Sequence, residues 1–195
     1  MIRRMRFFSL LIVAIVFAQN AGAIPVGGVI DANHSETFSI GPGLGSALID
    51  CEVYKYTPGE FEYEYVYTYR ISNIDSGIGL SFFSVGILDG ASAASPLYDH
   101  ITGAVDPTNW SVVGSPVQSV DALFVNTINN GQSSALLWFA SDYASTLGNG
   151  VLFGTSSGAP YYATGDLLTP IPEPAMFLLL GTAGLWILTR KRRSA

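Results

Sequence analysis

The 195-residue chain holds one cysteine, Cys51, and two histidines, His34 and His100, and that scarcity excludes several designs. A single thiol rules out an intramolecular disulfide, so packing must hold the fold together. The two histidines lie far apart, in neither a His-Glu-x-x-His nor a His-x-His arrangement, which leaves a zinc site without support. No Asp-x-Asp-x-Asp-Gly loop is present to cradle calcium, so neither a metal nor a cofactor is assigned. Charged residues make up 12% of the chain and hydrophobic residues 49%, too apolar a balance for disorder. With 21 glycines and ten prolines the apolar runs are too interrupted for a multi-span membrane protein.

Positive charge is nearly absent from the middle of the chain. Of nine Lys and Arg, three stand at the start (Arg3, Arg4, Arg6) and four at the end (Arg190, Lys191, Arg192, Arg193), leaving only Lys55 and Arg70 between them. Residues 24–170 set fourteen acids against those two cations. Phosphate backbones are held by clustered Lys and Arg, so a nucleic-acid partner is excluded for this region.

The two ends read as addresses. MIRRMR precedes a twelve-residue apolar stretch, Phe7 to Ala18, interrupted only by Ser9 and followed by Ala21-Gly22-Ala23, the small-residue pattern of a secretory signal peptide. Twelve helical residues reach about 18 Å, short of a hydrocarbon core roughly 30 Å thick. Cleavage by signal peptidase is therefore expected after Ala23, leaving Ile24 first. The other end runs Ile171-Pro172-Glu173-Pro174, then fifteen uncharged residues from Ala175 to Thr189, then Arg190-Lys191-Arg192-Arg193. The prolines favour an extended approach to a short helix of about 22 Å, and the basic tail should stay on the cytoplasmic side of the inner membrane.

Pro-Glu-Pro, a short apolar helix and an Arg-rich terminus, in that order, resemble the PEP-CTERM sorting signal of exported proteins in Gram-negative bacteria that make exopolysaccharide. The resemblance covers residues 171–193 and says nothing of the rest of the chain. It implies that Pro172, Glu173 and Pro174 are the motif recognised by an exosortase, a membrane transpeptidase, and that the chain is removed or transferred near them. Tails of that family are often rich in Gly, Ala and Leu, whereas this one carries Met176, Phe177 and Trp186. A tail anchor without processing is the alternative.

Between the ends, strands fit the pattern better than helices. Phe61, Tyr63, Tyr65, Tyr67, Tyr69 and Ile71 alternate with Glu62, Glu64, Val66, Thr68 and Arg70, a period of two that predicts one long strand with a buried side. Ala47, Ile49, Cys51 and Val53 alternate with Leu48, Asp50, Glu52 and Tyr54, and Thr57-Pro58-Gly59-Glu60 supplies a turn, so the two runs predict a hairpin. Further β-rich runs span 79–88, 110–113, 121–128, 133–140 and 151–154. Seven or eight short strands with hairpin-like turns predict an all-β fold, a single antiparallel β-sandwich over residues 24–153. Residues 154–170, rich in Gly, Ser, Thr and Pro, are expected as a flexible linker between the signal peptide-free domain and the sorting signal at 171–195.

Candidate chemistry is sparse. Asp99 beside His100 allows a Ser-His-Asp arrangement on paper, but neighbours on a strand point to opposite faces. Glu60, Glu62 and Glu64 would lie about 7 Å apart on one strand face, a spacing compatible with glycoside hydrolysis, although a solvated sheet face explains them better. Tyr63, Tyr65, Tyr67 and Tyr69 offer either a platform for sugar rings or one side of the inter-sheet core, and the core is the preferred reading. Trp110 has the same ambiguity and Trp138 reads as buried. Cys51 shares its face with Ala47, Ile49 and Val53 and is expected as a buried thiol. The resulting expectation is a non-enzymatic exported protein, held transiently at the inner membrane, processed near Pro172–Pro174 and delivered to the cell surface or matrix. By the resemblance, its setting is exopolysaccharide or biofilm. A carbohydrate-binding module and a secreted hydrolase are the alternatives.

Overall fold

The described residues form ten strands: β1 (Val29–Gly41), β2 (Gly45–Lys55), β3 (Tyr65–Asn73), β4 (Gly79–Gly86), β5 (Ala94–Asp99), β6 (Asn109–Val113), β7 (Ser119–Ile128), β8 (Leu136–Ser141), β9 (Ser145–Ser156) and β10 (Ala159–Pro170). The structure is a computed structural model that describes residues 23–114, 118–156 and 159–171. The first sheet has the order β1-β2-β3-β8-β5 and the second β10-β9-β4-β7-β6. Every ladder between named strands is antiparallel. The described residues are therefore all-β, in two facing antiparallel sheets, as the turn spacing predicts, with more strands than the seven or eight expected.

Inward residues of both sheets interdigitate in one apolar core. Ala47, Ile49, Cys51 and Val53 of β2 share this core with Leu80, Phe83 and Val85 of β4 and Val120 and Ala122 of β7, all buried. Large rings fill the centre. Phe139 stacks between Tyr67 at 5.1 Å and Tyr69 at 5.8 Å, and Phe83 lies 5.7 Å from Tyr69 and 6.5 Å from Trp110. Such pairs are each worth about 0.5–1.5 kcal/mol beyond the area they bury. Their polar atoms are satisfied across the gap between sheets: Tyr69 Oη donates to Leu168 O of β10 at 2.5 Å, and Trp110 Nε1 donates to Trp138 O of β8 at 2.8 Å.

At one side of the sandwich the edge strands β1 and β10 lie against each other. A Cβ on Gly165 would sit 2.8 Å from the ring of Phe38, and one on Gly150 would sit 2.3 Å from Leu167 Cδ1. Phe38 and Leu167 are fully buried, so the two glycines are where the strands close on the core. At the β3–β4 crossover Asn73 works as a staple. Its amide donates to Ile78 O and Ile128 O, both at 2.9 Å, and its oxygen accepts from Ser76 N at 3.1 Å.

The structure corrects two expectations. Residues 159–170 are not a linker: β10 pairs with β9 without a register break from Ala159↔Ser156 to Pro170↔Ser145, and Leu167, Leu168 and Thr169 are buried. The sandwich thus extends past residue 153 to Pro170. Nor is Phe61–Ile71 one strand. β3 begins at Tyr65, and residues 56–64 form a connection that folds over the outer face of the first sheet, where Phe61 and Tyr63 pack with Tyr56, Val66, Trp138 and Ala140. Val66, expected outside, is buried in this second cluster, and Thr68, also expected outside, is 2% exposed.

Gly165→Val tests the strand against the linker. Overpacking against Phe38 should lower stability by about 1–3 kcal/mol in urea unfolding, whereas the same change in a tether would be neutral.

Candidate functional site

The expected sorting and topology residues Pro172, Glu173, Pro174, Arg190, Lys191, Arg192 and Arg193 lie outside the described residues, as does Ala21. Of the expected signal-peptide cleavage residues, Ala23 is exposed, and Ile24 packs on the outer cluster. Just beyond it, Tyr56 Oη donates to Pro25 O at 2.6 Å, which fastens the start of the sandwich to the 56–64 connection. At the far end Ile171 N donates to Ala144 O at 3.0 Å, so the folded body reaches the residue immediately before Pro172.

The tyrosine stripe does not form a platform. Tyr65, Tyr67 and Tyr69 are 7%, 0% and 0% exposed, the preferred core reading, and Tyr63 belongs to the other face because the alternation breaks before β3. Burial pushes the Tyr67 and Tyr69 phenols well above their ordinary value. Glu60, Glu62 and Glu64 lie in the connection before β3 and not along a strand face, so the even spacing read from sequence does not apply. Glu64 instead pairs with Lys55 at 3.1 Å. Lys55 also donates to Tyr65 Oη at 3.1 Å, and these two hydrogen bonds raise its pKa.

His100 follows β5, and its partner is Asp106 rather than Asp99: Nδ1 lies 2.9 Å from both carboxylate oxygens. Among the described residues no serine is hydrogen-bonded to this pair. The sequence does contain a Gly-x-Ser-x-Gly pentapeptide, Gly154-Thr155-Ser156-Ser157-Gly158, which sequence reading passed over. β9 ends at Ser156 and β10 begins at Ala159, so its context is strand to strand, where a nucleophile elbow needs strand to helix. His34 is on β1, four strands across the first sheet from β5, or about 19 Å. It lies 3.5 Å from Glu36. Among the described residues no three His, Cys, Asp or Glu side chains gather as metal ligands.

Two surfaces remain. On the outer face of the first sheet, Asn33, Ser35, Asp50, Glu52, Thr68 and Arg70 line a groove of about 420 Å³. Ser35 donates to Asp50 at 2.6 Å and Tyr54 to Glu52 at 2.5 Å, and this second bond, ahead of burial, pushes the Tyr54 phenol up to about 12. On the outer face of the second sheet, register places Tyr162 opposite Phe153, Phe153 opposite Phe82, and Phe82 opposite Leu123. Directly opposed residues share a face, so these four form a row across β10, β9, β4 and β7. Tyr162 is 73% and Leu123 45% exposed, while Phe82 and Phe153 are half-buried.

Sequence reading missed this row because its members are scattered over eighty residues and no single strand shows more than one of them. Phe82 in particular has the same parity as Leu80, which is 1% exposed. A β-bulge between Leu80 and Phe82 reverses the alternation, so that Leu80 and Phe83 both point inward and Phe82 points out.

No known family model matches the chain, and no characterised protein or solved structure is significantly similar to it.

Cys51 is buried in the core, its thiol donates to His34 O at 3.2 Å, and burial is the largest cause raising its pKa from 9.0 to about 11. A group held neutral in the fold but freer to ionise when unfolded stabilises the protein fully below pH 9, and that contribution is lost as pH rises toward about 11. The melting temperature should therefore fall across this window. Cys51→Ala should flatten the fall without abolishing it, because the buried tyrosines act in the same direction. A thiol reagent should label the native chain far more slowly than the chain in urea.

Proposed function

We propose that the chain is an exported, non-enzymatic protein of a Gram-negative cell surface or extracellular matrix, sorted by its C-terminal segment and associated with exopolysaccharide. The observation that carries this reading is the order Pro172-Glu173-Pro174, fifteen uncharged residues and Arg190-Lys191-Arg192-Arg193, in a chain that opens with a basic, apolar, small-residue leader. Signal peptidase removes residues 1–23. The apolar helix then holds the precursor in the inner membrane with its basic tail inside, since moving four cations across the hydrocarbon is costly. That topology presents Glu173, between two prolines, to an exosortase on the outer side.

The fold supports a structural role at the surface. Strands β1 to β10 form a body held by core packing and by hydrogen bonds between its sheets, with no bond that a change of redox compartment would break. Because Ile171 is still hydrogen-bonded to Ala144, the body leaves little chain between itself and the motif, so processing near Pro172 delivers the sandwich with almost no tail.

Intact mass of the protein from inner-membrane and surface fractions, with and without the processing enzyme, tests this directly. The expected result is a species beginning at Ile24 and shortened near Pro172–Pro174 at the surface, and its accumulation unshortened in the inner membrane when the enzyme is lost. One unshortened inner-membrane species under both conditions would overturn the sorting reading.

A further inference from the structure

We propose that the outer face of the second sheet is a binding site for a neutral polysaccharide, with Tyr162, Phe153, Phe82 and Leu123 as the apolar floor on which sugar rings stack. This deepens the exopolysaccharide association proposed above by naming the site and the charge class of the glycan, and it rests on that reading only for its setting.

An antiparallel sheet face exposed to water normally carries polar side chains. This one carries three aromatic rings and a leucine on four adjacent strands, a floor about 14 Å long at the usual strand spacing. The row is not a by-product of core packing. The bulge after Leu80 is what sends Phe82 outward; with unbroken alternation it would share the core face of Leu80, which is 1% exposed. Bulges recur where a side chain has to be re-aimed toward a site.

A second row supplies the polar half of such a site. Two residues along each strand, about 7 Å away, register aligns Thr164, Val151, Ser84 and Asp121, with Ser111 beyond. Ser84 donates to Asp121 at 2.7 Å, which leaves carboxylate and hydroxyl lone pairs facing solvent. A sugar offers an apolar face to the rings and hydroxyls at its edge to this row.

Charge selects among possible occupants. The only two cations of residues 24–170, Lys55 and Arg70, are on β2 and β3 of the first sheet, while Asp121 and Asp166 are on the second. A face without cations does not attract anionic lipid or an acidic polysaccharide. A second copy of the chain would need about 800 Å² per partner for a stable interface, and a single row of four side chains, two of them half-buried, falls well short.

The test uses the full-length chain purified in detergent and passed over insoluble cellulose, starch and mannan as neutral probes, alginate as an acidic one, and vesicles of phosphatidylglycerol. Retention on at least one neutral glycan, little affected by salt, is expected. Tyr162→Ala should weaken it about fivefold, and Phe82→Ser should weaken it further. Because Phe82 is half-buried, circular dichroism and melting of each variant must match the parent, and Tyr162→Ala alone decides if Phe82→Ser unfolds. Arg70→Ala, on the opposite sheet, should change nothing. Absence of retention on all three neutral glycans, unchanged retention by Tyr162→Ala, or preference for alginate or vesicles would each overturn the site. Processing in cells is read separately by mass, so failure of sorting and failure of glycan binding are distinguishable.

Discussion

The sandwich depends on aromatic side chains that hydrogen-bond through the core to the opposite sheet. Tyr69 on β3 reaches Leu168 O on β10, and Trp110 on β6 reaches Trp138 O on β8, so each sheet sends one ring across to a backbone carbonyl of the other. Apolar packing alone is non-directional and would tolerate a sliding of the two layers. These bonds do not, because a buried phenol or indole that loses its acceptor bears the full cost of desolvation. Phe83 and Phe139 fill the space between them and make displacement sterically costly as well. The same arrangement explains how a chain with one thiol holds ten strands together.

What could be read from the amino acids was the β class, the two-sheet layout and the core faces of β2 and β3, where strict alternation meets one-sided burial. The hairpin of β2 and β3 was legible for the same reason. β1 was not, since Asn33, His34, Ser35, Glu36 and Thr37 carry no apolar alternation, and an edge strand needs little of it. β10 was misread for a more instructive reason. Gly and Ser suggest a tether when only composition is considered, yet Gly165 and Gly150 are small because Phe38 and Leu167 occupy the space a side chain would need. Glycine reports both freedom and crowding, and only the neighbours distinguish them.

The surfaces were the least legible part. A period-two pattern assigns faces correctly until a bulge or a connection shifts the phase. Of the shifts in this fold, the ones before Tyr65 and after Leu80 decide where the aromatic rings go. The first shift moves Phe61 and Tyr63 away from the tyrosines that continue into the core, and the second moves Phe82 out of it. An aromatic stripe along one strand proved to be interior, while the exposed one runs across strands and is assembled only by pairing register. No local pattern in the sequence encodes that pairing.

The position of β10 also bears on how the protein would respond to force. It is the outermost strand of its sheet, its ladder shared with β9 alone, and its last rung, Pro170↔Ser145, is the one nearest the proposed membrane-held segment. Tension arriving along the chain from that side would load this rung first and the others one after another, as a zipper opens, instead of shearing all of them together. Pulled from its carboxyl end, the sandwich would therefore give way at the seam between β9 and β10, and the tie from Tyr69 to Leu168 would be among the first to part.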